Sequence, residues 1–143
     1  MSDGLVAGVD VGLELARRLL DAVREAASGE GLAVSAAVVD RGGHVVASQR
    51  MDGAALGAMT LAVDKAYTAV LWQVPTGEFM ASTQPGGVDW GFNTTSGGRV
   101  VVYAGGLPLF ADGSLVGGLG VSGGTGEQDE ACAGAAIAAC GLG

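Results

Sequence analysis

Residues 117–130, GGLGVSGGTGEQDE, decide the fold, because an apolar strand, a tight glycine turn and a helix start meet there. The run 114–121 predicts a buried strand whose glycines let another backbone or a ligand come close. Thr125 precedes Gln128 by three residues, which is the spacing of a capping box. Such a junction places backbone N–H groups and carboxylates side by side and predicts a pocket beside the turn.

The same stretch contains the dinucleotide-binding pattern G-x-G-x-x-G at Gly118, Gly120 and Gly123. A dinucleotide fold needs this pattern in the turn after a strand, whereas two of these glycines lie inside the predicted strand. Glu127 and Asp129 fall in the first turn of the following helix, where the helix dipole favours negative charge. Both carboxylates would repel a pyrophosphate, so the sequence predicts no nucleotide site here.

Composition indicates one folded domain that spans residues 1–143. Apolar residues make up 49% of the chain and charged residues 15%, which supplies a sizeable core and suggests that part of the surface is buried in a homo-oligomer. The net charge of −8, with only 7 Lys and Arg, argues against a nucleic-acid partner. We find neither a basic amphipathic helix nor an apolar membrane-spanning run, so we expect no membrane partner.

Features of the N-terminus and of the cysteines predict a cytoplasmic protein. The first residues show no basic region followed by an apolar stretch, so no signal peptide is expected. Cys132 and Cys140 lie eight residues apart on a predicted helix, which places their Cα atoms roughly 12 Å apart. A disulfide needs less than about 7 Å, so both thiols are expected to be free.

Hydrophobic periodicity and turn residues predict an α+β fold with an antiparallel sheet. The predicted helices are 5–27, 57–72 and 127–140, with a short extra helix from Pro75 through Met80. The predicted strands are 32–39, 44–49, 99–103, 107–111 and 114–121. Residues 84–98 form a long glycine-rich loop, and a loop of this length in a compact chain is often functional.

The chain resembles the GlcG/HbpS-like family, which also includes the C-terminal domain of PduO-type proteins. The matching pieces, in order, are AVVDRGGHVVASQRMDGA (37–54), DKAYTA (64–69), QPGG (84–87) and GGLPLFADGSLVGGLGVSGGTGEQDEACA (105–133). The resemblance implies a profilin-like α/β/α sandwich with a five-stranded antiparallel sheet. It also implies a dimer or larger homo-oligomer, and haem or a related tetrapyrrole as the ligand, since some members bind haem.

His44 is the single histidine and therefore the one imidazole available as an axial haem ligand. It directly follows the turn 40–43, where a histidine that bonds nearby backbone is the simpler interpretation. His44 is therefore expected to be a metal ligand only if haem is bound.

Lys65 lies in a largely apolar helix segment, so its ammonium group needs a partner. One interpretation is a structural ion pair with Asp64, Glu127 or Asp129. The other makes Lys65 a group that binds a carboxylate or transfers a proton, with Glu127 or Asp129 as the general base.

The expected ligand site is the point where the turn 122–126 meets the helix that carries Lys65, covered by the loop 84–98. Its predicted ligand-binding residues are Arg50, Lys65, Arg99, Gly123, Gly124, Thr125 and Gln128. Arg99 suits bidentate binding of a carboxylate, although a solvated strand end is the simpler interpretation.

Besides an accessory assembly protein without chemistry, two functions remain open from the sequence. The first is a cytoplasmic, homo-oligomeric protein that binds a small ligand, with haem or a tetrapyrrole implied by the resemblance. The second is a cofactor-independent enzyme that acts on a small carboxylate- or carbonyl-bearing metabolite by proton transfer, tautomerisation or hydrolytic deamination. Lys65, Glu127 and Asp129 would be its catalytic residues.

Overall fold

The computed structural model describes residues 3–143, which form three helices and a four-stranded antiparallel sheet. The helices are α1 (Leu13–Gly29), α2 (Ala58–Trp72) and α3 (Gly126–Ala139). The strands are β1 (Ser35–Val39), β2 (Val45–Arg50), β3 (Gly106–Ala111) and β4 (Ser114–Ser122). The predicted α+β class is therefore confirmed. The short helix expected after Pro75 is a 3-10 turn, Thr76–Phe79.

The strand order across the sheet is β2-β1-β4-β3. Ser35 at the start of β1 lies opposite Arg50 on β2 and Ser122 on β4. All five residues of β1 are buried because this strand is central and both of its faces are covered. The edge strand β2 instead consists of exposed and partly buried residues.

Helices cover both faces of the sheet. The larger core joins α1 and α3 to one face through residues such as Leu19, Val38, Leu119 and Ala133. A smaller cluster, built on Val39, Ala66 and Val70, joins α2 to the other face. The sheet is thus the middle layer between two helical layers.

Two glycines of β4, Gly118 and Gly120, serve the packing of α2. A Cβ atom at Gly118 would lie 2.5 Å from the carbonyl oxygen of Ala66, well inside van der Waals contact. The sequence predicted that these glycines admit another backbone or a ligand. The approaching group is the backbone of α2, so this part of the strand has no space for a ligand.

The five-stranded sheet expected from the resemblance is corrected to four strands. Residues 99–103, the predicted extra strand, run outside the sheet and against α2. The Thr68 hydroxyl of α2 accepts a hydrogen bond from the Val101 N–H at 3.0 Å. A side chain therefore satisfies an amide that a strand would pair with a neighbour, while Val100 and Val101 remain buried.

The first helix is also shorter than predicted, because it begins at Leu13 rather than at residue 5. The segment before it is irregular and is held by long-range hydrogen bonds. The Val11 N–H donates to the Val116 carbonyl at 2.8 Å, and the Asp10 carboxylate accepts from the Arg41 N–H at 2.8 Å. Tertiary contacts thus override the helical spacing of its apolar residues, and Val6 and Val9 are left exposed.

The predicted loop 84–98 is irregular, with two short 3-10 turns at Phe92–Thr94 and Ser96–Gly98. Across residues 3–143, no helix is both long and apolar enough to cross a membrane.

Candidate functional site

A buried ion pair lies where α2, β4 and α3 meet. The Lys65 ammonium group donates to the Asp129 carboxylate at 3.0 Å and to the Val121 carbonyl at 3.0 Å. Only 2% of either side chain is exposed. Because the two charges come from different helices and the carbonyl from the central sheet, this contact ties the two helical layers together.

The surroundings of Lys65 complete its coordination. Its Nζ atom lies 5.3 Å from the centroid of the Tyr103 ring, within the range of a cation–π interaction. A Cβ atom at Gly105 would lie 2.5 Å from Nζ, so a glycine is required there. A carboxylate, a carbonyl and a ring face thus surround the ammonium group, as the ion-pair interpretation of Lys65 requires.

The Ser-Gly-Gly-Thr-Gly turn directs its polar groups inward. The Gly124 N–H donates to the second Asp129 carboxylate oxygen at 2.8 Å. Thr125 and Gln128 form the predicted capping box, with reciprocal hydrogen bonds of 2.9 and 3.2 Å. Gly123 has a φ of 147°, and a Cβ atom there would lie 2.6 Å from the Ala33 carbonyl oxygen. The N–H groups of Gly124 and Thr125 are therefore already satisfied within the chain.

Glu127 and Asp129 separate, although both stand in the first turn of α3. Two residues along a helix correspond to a rotation of about 200°, so their side chains leave on nearly opposite sides. Asp129 is buried with Lys65, whereas Glu127 is exposed and lines a cleft. Of the three predicted catalytic residues, Lys65, Glu127 and Asp129, only Glu127 lines that cleft.

This cleft, with a volume of about 760 Å³, lies between the start of α3 and the Thr76–Phe79 turn. Its lining residues are Pro75, Gly77, Glu78 and Met80, together with Ala104, Thr125, Gly126, Glu127 and Glu130. The volume is in the range of small-molecule pockets, about 300–1,000 Å³. Neither Lys65 nor the loop 84–98 lines it, in contrast to the expected site.

The cleft is acidic. It has three glutamates, Glu78, Glu127 and Glu130, and no lysine or arginine among its lining residues. Sequence reasoning missed Glu78, Met80 and Glu130, because their proximity to the turn depends on how the chain after α2 folds back onto α3. No local spacing in the sequence signals that contact.

Arg99 is engaged by neighbouring side chains. Its Nε atom lies 3.0 Å from the Asp64 carboxylate, and its guanidinium carbon lies 3.7 Å from the Tyr67 ring centroid. The tip of the β1–β2 hairpin contacts the same ring, since a Cβ atom at Gly43 would lie 2.7 Å from it. Arg99 and Tyr67 therefore belong to the contact that holds the hairpin against α2.

His44 is exposed on this hairpin. Its backbone groups form hydrogen bonds, whereas its ring behaves differently. Its N–H donates to the Asp40 carboxylate at 3.0 Å, and its carbonyl accepts from the Asp40 N–H at 2.9 Å. Within residues 3–143, neither ring nitrogen makes a hydrogen bond. The backbone thus has the predicted hairpin role, while the imidazole remains available to a ligand.

Arg50 lies apart from the buried pair, at the exposed end of the edge strand β2. Over the part of the chain that the structure describes, it forms no ion pair, and it makes no hydrogen bond to Lys65 or Asp129. Arg24 and Asp52 line the same shallow pocket. The structure therefore does not combine Arg50 and Lys65 into one cationic site.

The two cysteines are free, and Cys132 is buried while Cys140 is partly exposed. Burial raises the pKa of the Cys132 thiol, and the charges of Asp129 and Glu30 raise it further. Among residues 3–143, no group of three or more His, Cys, Asp or Glu side chains is arranged to hold a metal ion.

Comparison with known families settles the resemblance. The family described as "haem degrading protein HbpS-like" matches residues 11–138. This chain belongs to the HbpS-like family. A Citrobacter freundii relative, an uncharacterised 15.0 kDa protein encoded between dhaT and dhaS, is 38% identical over 87% of this chain and 88% of its own length.

Solved structures of HbpS-like relatives agree closely with the fold. The Klebsiella pneumoniae protein ORFY superposes with a TM-score of 0.95 at 32% identity, over 99% of this chain and 97% of that one. The PduOC structure, described as a complex with heme, has a TM-score of 0.89 at 38% identity, over 94% of this chain and 98% of its own. A haem-binding relative is thus similar over nearly its whole length.

Proposed function

We propose that this HbpS-like protein binds haem or a related tetrapyrrole in the cytoplasm, as a homo-oligomer, with His44 as the axial ligand. The observation that carries the proposal is the exposed His44 imidazole, whose ring nitrogens have no hydrogen-bond partner in residues 3–143. The similarity to PduOC, described as a heme complex, supports the choice of ligand.

The residues around His44 fit an iron-bound tetrapyrrole. Haem supplies an iron centre that accepts a lone pair from an imidazole nitrogen. The hairpin that carries the imidazole is fixed in place by the hydrogen bonds between Asp40 and His44 and by the packing of Gly43 on Tyr67. A ring on a fixed hairpin binds with little loss of backbone freedom.

Charge favours the hairpin over the acidic cleft as the haem site. Arg41 lies in the same turn as His44, and its side chain is partly exposed beside Asp10, 3.2 Å away. Its guanidinium can attract a propionate. The three glutamates of the cleft would repel that group instead.

Exposed apolar residues also lie on and near this hairpin. Val45, which follows His44 on the edge strand, is exposed. The backbone of Gly8 lies directly against the Arg41 guanidinium, which brings the segment with exposed Val6 and Val9 to the same hairpin. A macrocycle needs such surface for its own apolar face.

Haemin titration followed at the Soret band tests this proposal, with wild type, His44→Ala and Met80→Leu compared. We expect a saturable Soret change in wild type and in Met80→Leu, and its loss in His44→Ala. Met80→Leu is the control because Met80 is the sulfur-containing side chain among the residues that line the cleft. Loss of the Soret change only in Met80→Leu would indicate that haem binds in the cleft. The absence of a Soret change in wild type would refute haem binding.

The geometry gives less support to the cofactor-independent enzyme. Lys65 and Asp129 are each only 2% exposed and are bonded to one another, so neither reaches a substrate in this conformation. Glu127 lines the cleft without a second predicted catalytic residue beside it.

A further inference from the structure

The two edges of the sheet differ in how their outer backbone groups are bonded, and the β3 edge is closed. Alternation of the ladder with β4 turns Gly106, Pro108 and Phe110 outward. The Gly106 N–H donates to the Thr76 hydroxyl at 3.0 Å. The Phe110 carbonyl accepts from the Gly143 N–H at 3.2 Å. Proline has no N–H, so little of this edge is left for a further strand.

The β2 edge is open. The Met51 N–H donates to the Val34 carbonyl at 3.0 Å, which fixes the phase of the ladder between β1 and β2. Ser48 and Arg50 therefore direct their N–H and C=O groups away from β1. Both residues are exposed, and within residues 3–143 no group bonds to these outward N–H and C=O groups. They are free to pair with an extended chain.

A groove between β2 and α1 borders this open edge. It consists of two pockets of about 330 and 390 Å³ that share Gln49. Arg17 lines the first, and Arg24 and Arg50 line the second. Arg17 and Arg24 are seven residues apart, so they lie on one side of α1, about 10.5 Å apart along its axis. We call this the arginine groove and define it by Arg17, Arg24, Ser48, Gln49 and Arg50.

The groove differs in charge from the rest of the chain. Its linings contain three arginines and two aspartates, Asp21 and Asp52, whereas the whole chain has a net charge of −8. Arg17 and Arg50 form no ion pair in residues 3–143. Arg24 pairs with Asp21 at 3.4 Å, but both side chains are exposed, so another carboxylate replaces Asp21 at little cost. An anion is therefore attracted here and repelled by the three glutamates of the cleft.

We propose that the arginine groove binds an extended acidic peptide segment of a partner protein, which adds to β2 as a further strand. The peptide backbone pairs with the outward groups of Ser48 and Arg50, and its carboxylates meet the arginines. In this mode the backbone ladder supplies affinity and the alternate side chains supply specificity. Every second residue of the added strand, about 6.8 Å apart, faces α1. The segment therefore has acidic residues at alternate positions.

An acidic peptide fits this edge better than a second copy or a nucleic acid. Symmetric pairing of β2 with the β2 of another copy brings the arginines of both grooves together, and like charges repel. A nucleic acid has no peptide backbone to complete the ladder, and the net charge of −8 repels a polyanion. Only an acidic peptide satisfies the open backbone groups and the arginines together.

Fluorescence anisotropy tests the proposal with a fluorescein-labelled peptide of alternating glutamate and threonine, about eight residues long. Two control peptides replace glutamate by lysine, or threonine by proline, which cannot donate to a ladder. We expect saturable binding of the first peptide only, with affinity that falls as salt is added. No saturable binding up to about 1 mM would overturn the proposal. Equal binding of the proline peptide would overturn the added strand.

Arg17→Gln and Arg18→Gln are the matched protein variants. Both arginines are exposed neighbours on α1, and each change removes one positive charge, but Arg18 lines a different pocket, beside Cys140. We expect Arg17→Gln to weaken binding of the glutamate peptide about threefold or more, and Arg18→Gln to stay close to wild type. Equal weakening in both would show attraction by overall charge and would refute the groove as the site.

Ser48→Pro tests the backbone pairing from the protein side. It removes an N–H that β1 does not use, and proline is tolerated on edge strands, so Tm is expected to stay near wild type while peptide binding is lost. Binding that persists in a folded Ser48→Pro protein would contradict the added strand. If Ser48→Pro instead lowers the mass of the wild-type particle in light scattering, a second copy occupies the edge and the proposal fails.

His44→Ala separates this inference from the proposed haem site. His44 lies outside the arginine groove, so we expect its replacement to leave the affinity for the glutamate peptide unchanged. Loss of peptide binding in His44→Ala would overturn the independence of the two sites. Peptide binding without a Soret change in wild type refutes haem binding alone, and a Soret change without peptide binding refutes the arginine groove alone.

Discussion

Lys65→Met is expected to destabilise the protein strongly, because it leaves the Asp129 carboxylate buried without a counter-charge. Asp129 keeps the hydrogen bond from the Gly124 N–H, but its second oxygen loses the ammonium group at 3.0 Å. Removal of one partner from a buried ion pair costs about 3–5 kcal/mol in the free energy of unfolding. For a chain of this size, that corresponds to a Tm lower by roughly 10–15 °C.

The double variant Lys65→Met/Asp129→Asn separates charge burial from a general packing defect. Asparagine retains an oxygen that accepts from the Gly124 N–H and carries no charge. With methionine and asparagine in place of the pair, no uncompensated charge is left buried, which is the main cost of breaking such a pair. We therefore expect the double variant to regain at least half of the lost free energy of unfolding.

Urea unfolding measures these differences, with an unchanged slope as evidence that each variant unfolds in the same transition. Arg24→Met is the matched control, since it breaks an exposed pair with Asp21 at 3.4 Å. Such exposed pairs contribute about 1 kcal/mol or less. The reasoning fails if Lys65→Met loses no more than Arg24→Met, or if the double variant is less stable than Lys65→Met.

Two further predictions follow from α3. Iodoacetamide at pH 8 is expected to alkylate Cys140 before Cys132, because Cys132 is buried and its raised pKa lowers the thiolate fraction. Peptide mass spectrometry over time measures the order, and equal rates would show that α3 opens readily. Thr125→Ala is expected to cost about 1 kcal/mol in the free energy of unfolding, because the N-cap hydroxyl that accepts from Gln128 is lost. Thr125→Ser keeps that hydroxyl and is expected to stay near wild type in the same urea assay; a Thr125→Ala protein equal to both would contradict the role of the cap.

The sequence alone determined the local elements of this fold. The capping box of Thr125 and Gln128, the β1–β2 hairpin and the second helix each depend on residues close together in the chain. Their hydrogen bonds and apolar spacing are local, and the structure has them near the predicted positions. The order of these pieces also carried the family resemblance, which comparison confirmed.

Only the tertiary structure decided where distant segments meet. The sequence offered Asp64, Glu127 and Asp129 equally as partners of Lys65, and the position of α2 and α3 at the end of β4 selected Asp129. The predicted strand 99–103 lies outside the sheet, where the Val101 N–H donates to the Thr68 hydroxyl of α2. The first helix begins later than predicted, because Asp10 and Val11 form hydrogen bonds with the hairpin and with β4. In each case a contact with a residue far along the chain outweighed a local preference. No local sequence pattern contains that information.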